Sequence, residues 1–95
     1  MSAYVIIDVD VKDQAQYSEY MKKGAPTIFA YGGEPLVRGG KTEVWEGAWD
    51  PKRIIVLKFK TMDEARKWYE SSDYKEAKKI RLSAASGNVI CVEGI

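Results

Sequence analysis

The 95-residue chain contains no histidine and only one cysteine, Cys91. The absence of histidine excludes Ser-His-Asp and Cys-His catalysis, haem held by a proximal histidine, and the common zinc sites. A single cysteine excludes an internal disulfide and any paired-cysteine metal or redox site. Chemistry must therefore use carboxylates, tyrosines, lysines and arginines, or no protein acid at all. We expect neither a metal nor a cofactor.

Cys91 itself lies in the apolar run Asn88–Val92. A catalytic thiol needs a base, which histidine normally provides, whereas free cysteines in apolar surroundings are usually inert core residues. The sequence therefore predicts a buried thiol without a chemical role.

The chain also lacks an excess of charge and long apolar runs. Its 15 basic and 14 acidic residues give a net charge of +1, which favours neither nucleic acid nor an anionic membrane as a partner. No stretch approaches the ~20 apolar residues of a membrane span. Met1–Tyr4 has neither the basic region nor the apolar segment of a signal peptide. We therefore expect a cytoplasmic protein.

The first half of the chain predicts a strand followed by a helix. Apolar residues alternate along Tyr4–Val11, which is typical of a strand. Asp13 begins the helix, with Gln16 at the reciprocal position of a capping box. Gly24-Ala25-Pro26 should break or kink this helix, because proline lacks the amide hydrogen. Gly32-Gly33 should end it.

The second half predicts a hairpin, a buried strand, a helical region and a last strand. Two short extended runs, Glu34–Arg38 and Thr42–Glu46, flank Gly39-Gly40 and indicate a hairpin or a bent edge segment. The later elements follow in order: a strand at Arg53–Phe59, a helical region from Thr61 to Ala84 interrupted at Ser71–Asp73, a turn at Gly87-Asn88, and a strand at Val89–Glu93.

This order of elements predicts one α+β domain, residues 1–95, with a ferredoxin-like βαββαβ fold and an antiparallel sheet. Helices cover one face of such a sheet. Tyr4, Ile6, Asp8 and Asp10 alternate onto the other face, which is therefore neither fully apolar nor fully polar. A face of this kind often packs on a second copy of itself. We expect a homodimer whose two sheets close into an α/β barrel around a small cavity.

Residues along the whole chain resemble domain-of-unknown-function family 1330. The segments that carry the resemblance are Tyr4–Asp8, Tyr31–Gly33, Val37–Gly40, Glu46-Gly47, Trp49–Arg53 and Ala65–Ser71, together with Tyr74 and Arg81. That family is similar to the dimeric α/β-barrel proteins, which include cofactor-free oxygenases of aromatic polyketides, small isomerases, lactone-forming enzymes and haem enzymes. The resemblance implies a dimeric α/β barrel without a settled activity. Lys58 departs from it, because an acidic residue is expected at that place.

The candidates for a catalytic role are Asp8, Arg38, Lys58 and Tyr69. Asp8 and Lys58 share the uncovered face, where an apolar lumen would raise the pKa of Asp8 and make it a base for carbon acids. The alternative is a structural ion pair between them. Arg38 beside two glycines can offer its guanidinium to a carboxylate or enolate. Alternatively, Arg38 flanks a solvated turn or pairs with a carboxylate of the other subunit.

The candidates for ligand binding are Arg38, Glu46, Trp49, Arg53 and Arg81. Glu46 and Arg53 can rim the cavity, and Trp49 either closes it or packs on the partner subunit, where tryptophan and arginine are enriched. Tyr69 and Arg81 are the polar members of the second helical region that can reach the cavity mouth.

Two functions stay open. The first is a cofactor-independent enzyme, an oxygenase or isomerase of an aromatic or enolisable acid, with Asp8 as base, Arg38 as anion anchor and Lys58 or Tyr69 as auxiliary. The second is a homodimer that binds a small anionic or aromatic molecule, or interacts with a partner, without turnover. A purely structural dimer is a third reading.

Overall fold

The computed structural model describes residues 1–95 and contains a four-stranded antiparallel sheet with three helices. The elements are β1 (Ala3–Val11), α1 (Gln14–Ala30), β2 (Glu34–Arg38), β3 (Ile54–Phe59), α2 (Met62–Glu70), α3 (Ser72–Ala84) and β4 (Ala85–Glu93). The strand order is β2-β3-β1-β4, and every neighbouring pair is antiparallel. The predicted α+β, ferredoxin-like fold is confirmed. None of the helices has the length and apolar character to span a bilayer.

The alternation along β1 decides which face of the sheet the helices cover. Val5, Ile7 and Val9 are at most 3% exposed, whereas Ile6 and Asp8 between them are only half-buried. Full burial of an aliphatic side chain contributes roughly 1.5–3 kcal/mol, so the three valine and isoleucine side chains fix this orientation. The core is a single layer between sheet and helices, and the molecule is a slab of 36 × 33 × 16 Å.

Aromatic side chains fill this single layer. The Trp68 ring centroid lies 4.3 Å from that of Tyr74 and 5.6 Å from that of Phe59. The indole Nε1 of Trp68 donates a hydrogen bond to Thr27 Oγ1 at 3.0 Å. The phenol oxygens of Tyr20 and Tyr74 are 2.9 Å apart in a buried hydrogen bond. The polar atoms of these rings therefore find partners inside the core, as buried polar groups must.

Helix α1 runs unbroken through Pro26, so the predicted break at Gly24-Ala25-Pro26 is wrong. The missing proline hydrogen bond is offset by close packing on α3, where a Cβ added to the buried Gly24 would lie 3.6 Å from Ala77 Cβ. The Thr27 hydroxyl also donates to the Gly24 carbonyl at 2.6 Å. The helix ends as predicted, because Gly32 adopts a φ of 81°.

The predicted hairpin around Gly39-Gly40 is wrong, whereas the alternative of an irregular edge segment is confirmed, because β2 is an edge strand with a register shift between Pro35 and Val37. β2 pairs with β3 instead, and residues 39–53 form one loop between the two strands. β3 supplies Leu57 and Phe59, each 1% exposed, to the core. The run Thr42–Glu46 has no comparable apolar face to bury, so it finds no partner strand within the chain.

The last third of the chain departs from expectation at two places. The helical region is interrupted at Ser71 as predicted, and α3 begins at Ser72 with the Ser71 hydroxyl accepting from the Tyr74 amide at 3.1 Å. β4 follows α3 directly, so the predicted turn at Gly87-Asn88 is wrong. The glycine lies inside the strand, where a Cβ would collide with the Asp8 carbonyl. Cys91 is exposed, not buried, because it lies on an edge strand that the helices cover incompletely.

We expect removal of either hydroxyl of the Tyr20–Tyr74 pair to lower the free energy of unfolding by more than half of what removal of both hydroxyls costs. Tyr74→Phe leaves the Tyr20 hydroxyl buried without a partner and should lower the free energy of unfolding by about 1–3 kcal/mol. Tyr20→Phe should do the same. The double variant should lose clearly less than the sum of both, because no hydroxyl is orphaned. Urea denaturation of the four proteins measures this, and additive losses would show that the hydroxyls do not interact.

Candidate functional site

Three cavities lie between the sheet and the helices. One of about 110 Å³ lies between α1 and the strands β1, β2 and β3 and is partly open to solvent. Two others, of about 380 and 440 Å³, lie between β4 and the helices α2 and α3. Each is lined by a residue of β1 that faces the helices: Val5, Ile7 or Val9. These cavities therefore belong to a single chain and do not depend on a second sheet.

The cavity under α1, which we call the α1 cleft, brings together Arg38 and Arg53. Arg38 lies opposite Ile55 across the strands, and Ile55 lies opposite the buried Ile7, so Arg38 is on the helix side of the sheet. The rest of the wall is mostly apolar and consists of Ile7, Tyr17, Tyr20, Met21, Ala25, Ile28, Phe29, Pro35, Ile55 and Leu57. Sequence reasoning missed Tyr17 and Tyr20 here, although their spacing of three residues marks one face of α1.

Two neighbouring residues hold the Arg53 side chain in the α1 cleft, but its Nε has no hydrogen-bond acceptor. Its guanidinium carbon lies 5.9 Å from the centroid of the Tyr17 ring, a cation–π contact. The side chain lies against Gly39, whose φ of 68° suits glycine and where a Cβ would collide with the guanidinium. The Arg53 Nε is buried and has no hydrogen-bond partner. A buried donor without an acceptor costs free energy, so the cleft has the capacity to hold an anion.

No carboxylate of the chain pairs with Arg38, Arg53 or Arg81. The five ion pairs are Lys12–Asp10, Lys22–Glu19, Lys52–Asp50, Arg66–Asp63 and Lys79–Glu76. All five join exposed side chains close in sequence, and such pairs contribute little to stability. Arg38, Arg53 and Arg81 take part in none of them. Arg38 is exposed and is solvated, so only the half-buried Arg53 and the buried Arg81 lack a counter-charge within the chain.

Asp8 anchors the end of loop 39–53. Its carboxylate accepts hydrogen bonds from the Lys52 amide at 3.0 Å, Trp49 Nε1 at 3.0 Å and the Arg53 amide at 3.4 Å. Partial burial would raise the pKa of Asp8, but these hydrogen bonds outweigh it and hold the pKa below its ordinary value. The expected raised pKa of Asp8 is therefore wrong, and the carboxylate is a weaker base than a catalytic one would be.

Alternation placed Asp8 and Lys58 on one face correctly, but the register separates them. Asp8 lies opposite Ile54, and Lys58 lies opposite Tyr4. Four residues along a strand span about 13 Å, so the predicted ion pair does not form. Asp8 and Arg38 lie on opposite faces of the sheet, and within one subunit they cannot act on the same bound molecule.

The remaining candidates lie apart from the α1 cleft. Glu46 is exposed in loop 39–53 and takes no part in an ion pair. Trp49 is 62% exposed, with its indole nitrogen tied to Asp8. Tyr69 and Arg81 come together in the cavity of about 440 Å³ beside β4. No group of three or more carboxylate or thiol side chains is arranged to hold a metal ion.

Two tyrosines bring buried phenols close to the arginines. Burial raises the pKa of Tyr20 well above its ordinary value, and the neighbouring Tyr74 raises it further. Burial also raises the pKa of Tyr74, which the Arg81 charge partly offsets. Both phenols therefore stay protonated at neutral pH and can donate a hydrogen bond, but they cannot supply a negative charge to the arginines.

A family model described as a domain of unknown function (DUF1330) matches residues 2–95. No curated protein matches the sequence. Among solved structures, the chain is similar to a protein of unknown function from Rhodopseudomonas palustris, with a TM-score of 0.80 and 15% identity over 99% of this chain and 82% of that chain.

Two further solved structures share the fold. SnoaB, a cofactor-independent oxygenase from Streptomyces nogalater, has a TM-score of 0.68 and 8% identity over 99% of this chain and 93% of that chain. A dimeric protein of unknown function with a ferredoxin-like fold, from Bacteroides fragilis, has a TM-score of 0.57 and 13% identity over 98% of this chain and 95% of that chain. At these identities the likeness shows the fold alone.

We expect Asp8→Asn to loosen loop 39–53 without unfolding the sheet. The neutral amide accepts hydrogen bonds more weakly than a carboxylate, so the amides of Lys52 and Arg53 should exchange with deuterium faster and the Trp49 indole resonance should shift. In the wild type the same loosening should occur as the pH falls below the ordinary Asp value of 3.8, because a lowered pKa means that the stabilisation is lost on protonation.

Asp10→Asn is the matched control, because Asp10 is the next outward carboxylate of β1 and bonds only to the exposed Lys12. It should leave the exchange rates of loop 39–53 unchanged. Equal effects of the two substitutions would show that the Asp8 hydrogen bonds do not hold the loop.

Proposed function

This chain belongs to the DUF1330 family, whose function is unknown, and we propose that it is a homodimer that binds a small anionic molecule with an apolar or aromatic body in the α1 cleft. One observation carries the ligand proposal: Arg38 and Arg53 meet at an apolar wall, and no carboxylate of the chain pairs with either. Guanidinium groups bind carboxylates through two parallel hydrogen bonds. The cleft takes the anionic end of the ligand, and a larger apolar body extends past its mouth.

The surface area of the single chain supports dimerisation. It exposes 6325 Å², whereas a folded monomer of this size typically exposes about 5,500 Å². The excess of about 800 Å² equals what one partner contributes to a standard interface. Only 16 of the 95 residues are buried, which is the consequence of covering one face of the sheet.

The open face of the sheet carries an apolar row across all four strands. Val37 of β2 lies opposite Val56 of β3, Val56 opposite Ile6 of β1, and Ile6 opposite Ile90 of β4. An apolar row of this length is rarely left in water. A second copy presents the same row, so the contact is self-complementary about a twofold axis.

Loop 39–53 adds apolar surface beside the open face. Val44, Trp45 and Trp49 are 51%, 87% and 62% exposed, and tryptophan is enriched at protein interfaces. Asp8, on the open face, holds the end of this loop through Trp49 and Lys52. Dimerisation would cover the loop together with the sheet.

Ile90→Glu tests the dimer. Ile90 is 57% exposed in the single chain, so the substitution should leave the subunit folded, while a buried carboxylate at a twofold contact should shift the protein from dimer to monomer. Sedimentation velocity at micromolar concentration measures the change. Leu82→Glu is the control, since Leu82 is 66% exposed on α3. A monomeric wild type, or the same behaviour of both variants, would contradict the proposal.

Turnover at the α1 cleft is the second candidate function. Tyr20 lines the cleft, and its raised pKa makes it a neutral donor to an enolate oxygen. The cofactor-independent oxygenase SnoaB shares the fold, which is an argument by analogy. Asp8 is not the base in this scheme, because it lies on the other face. The reaction class is oxygenation or isomerisation of an enolisable aromatic acid.

Phenylpyruvate, an aromatic and enolisable acid, is a probe for both functions. We expect calorimetry to detect its binding to the wild type, and Arg38→Gln or Arg53→Gln to weaken binding about tenfold or more, because each removes a charge-assisted hydrogen bond. Arg66→Gln, at an exposed arginine paired with Asp63, is the control and should bind like the wild type.

Enol absorbance and oxygen consumption of the same mixture then separate binding from turnover. Catalysis requires a rate above the uncatalysed one that falls in Tyr20→Phe, whereas unchanged absorbance and oxygen with intact binding identify a binding protein. Equal affinity of the Arg38, Arg53 and Arg66 variants would contradict the site.

A further inference from the structure

The two cavities beside β4 share Tyr69 and Val89 as lining residues and are therefore neighbours along the strand; we call them together the β4 trough. We propose that the β4 trough is a second binding site, which takes a monocarboxylic acid with an extended apolar body and holds the carboxylate on Arg81. None of its lining residues belongs to the α1 cleft, so the inference goes beyond the proposed function and does not rest on it.

Arg81 is the strongest reason for this site. It is 5% exposed, its Nε has no hydrogen-bond partner, and it takes part in no ion pair of the chain. Arginine cannot lose its proton in a protein, so burial does not neutralise it. Buried charges are normally paired because an unpaired one is costly. The nearby phenols of Tyr20 and Tyr74 are neutral, which leaves the counter-charge to a ligand.

The length and volume of the trough indicate the size of the apolar body of the ligand. Its floor runs along the helix-facing side of β4 from Gly87 past Val89 to Cys91, which is about 13 Å for four residues. Each half of the trough, at about 440 and 380 Å³, is in the range of small-molecule sites.

The end of the trough that lies farther from Arg81 has an apolar inner wall. Val5, Met62 and Ala65 form its wall, with Arg66 and Glu70 exposed at the rim. Partial desolvation raises the pKa of the Cys91 thiol, so Cys91 is a protonated, weakly polar neighbour there and not a nucleophile. The trough therefore has one charged end and one apolar end. That polarity fits an unbranched carboxylic acid better than a dianion or a neutral lipid.

Octanoate, butanoate and 1-octanol are the probes. Octanoate should bind the wild type at least tenfold more tightly than butanoate, which lacks the apolar length, and than 1-octanol, which lacks the charge. Methyl resonances of Val9, Ala65 and Val89 should shift on titration, while those of Ile28 and Leu57 in the α1 cleft should not.

Arg81→Met should weaken octanoate binding at least tenfold and should raise the melting temperature of the ligand-free protein, because it removes an unpaired buried charge. Lys79→Met, at an exposed lysine of the same helix that pairs with Glu76 and does not line the trough, is the matched control for both effects. Cys91→Trp is a second variant that fills the apolar end at an exposed position. It should weaken octanoate and leave butanoate unchanged.

Equal octanoate affinity of the wild type and Arg81→Met would overturn the proposal, and so would equal affinity of octanoate and 1-octanol. A lowered melting temperature of Arg81→Met without any octanoate binding to the wild type would show a structural arginine instead. Shifts confined to Ile28 and Leu57 would place octanoate in the α1 cleft, which overturns the trough while supporting the first site. A wild-type protein that binds octanoate but not phenylpyruvate would contradict the site in the α1 cleft alone.

Discussion

Helices cover one face of the four-stranded sheet, and the strict alternation of β1 gives the two faces different chemistry. Val5, Ile7 and Val9 enter a core that is one side chain deep, while Ile6 and Asp8 stay on an open face. A slab 16 Å thick cannot bury more of its surface alone. The covered face therefore carries the cavities, and the open face carries the apolar row on which the proposed dimer rests.

Charged side chains are divided between the molecular surface and the covered layer. The acidic side chains that form ion pairs do so at the surface, with exposed lysines and with Arg66. Arg53 and Arg81 extend into the covered layer, where each has a buried nitrogen without an acceptor. The interior thus has a local excess of positive charge that the net charge of +1 conceals. An anion bound from solution would correct it at either place, which is why both proposed ligands are acids.

Local patterns in the sequence predict the elements well and their long-range pairing poorly. The alternation of β1 and the cap at Asp13 depend on residues within one turn or strand, and the structure contains both. The choice of β3 over Thr42–Glu46 as the partner of β2 depends on total burial, which no local pattern contains. The continuity of α1 through Pro26 likewise depends on its packing against α3.

In the candidate site, too, local sequence patterns predict the face on which a residue lies but not which distant residues lie near it. Alternation correctly placed Asp8 and Lys58 on one face, but only the register reveals that they lie opposite Ile54 and Tyr4, at different ends of the strand pair. Arg38 and Arg53 line one cavity although 14 residues separate them in the sequence, and sequence spacing alone does not reveal that they are near each other.

The open face gives the most direct test of this account. A sample that mixes isotope-labelled and unlabelled chains allows magnetisation transfer between subunits to be observed separately from transfer within one. The account predicts transfer between the methyl groups of Ile6, Val56 and Ile90 of one copy and those of another. A particle of single-chain mass without such transfer, whose apolar row is in contact with water, would contradict it.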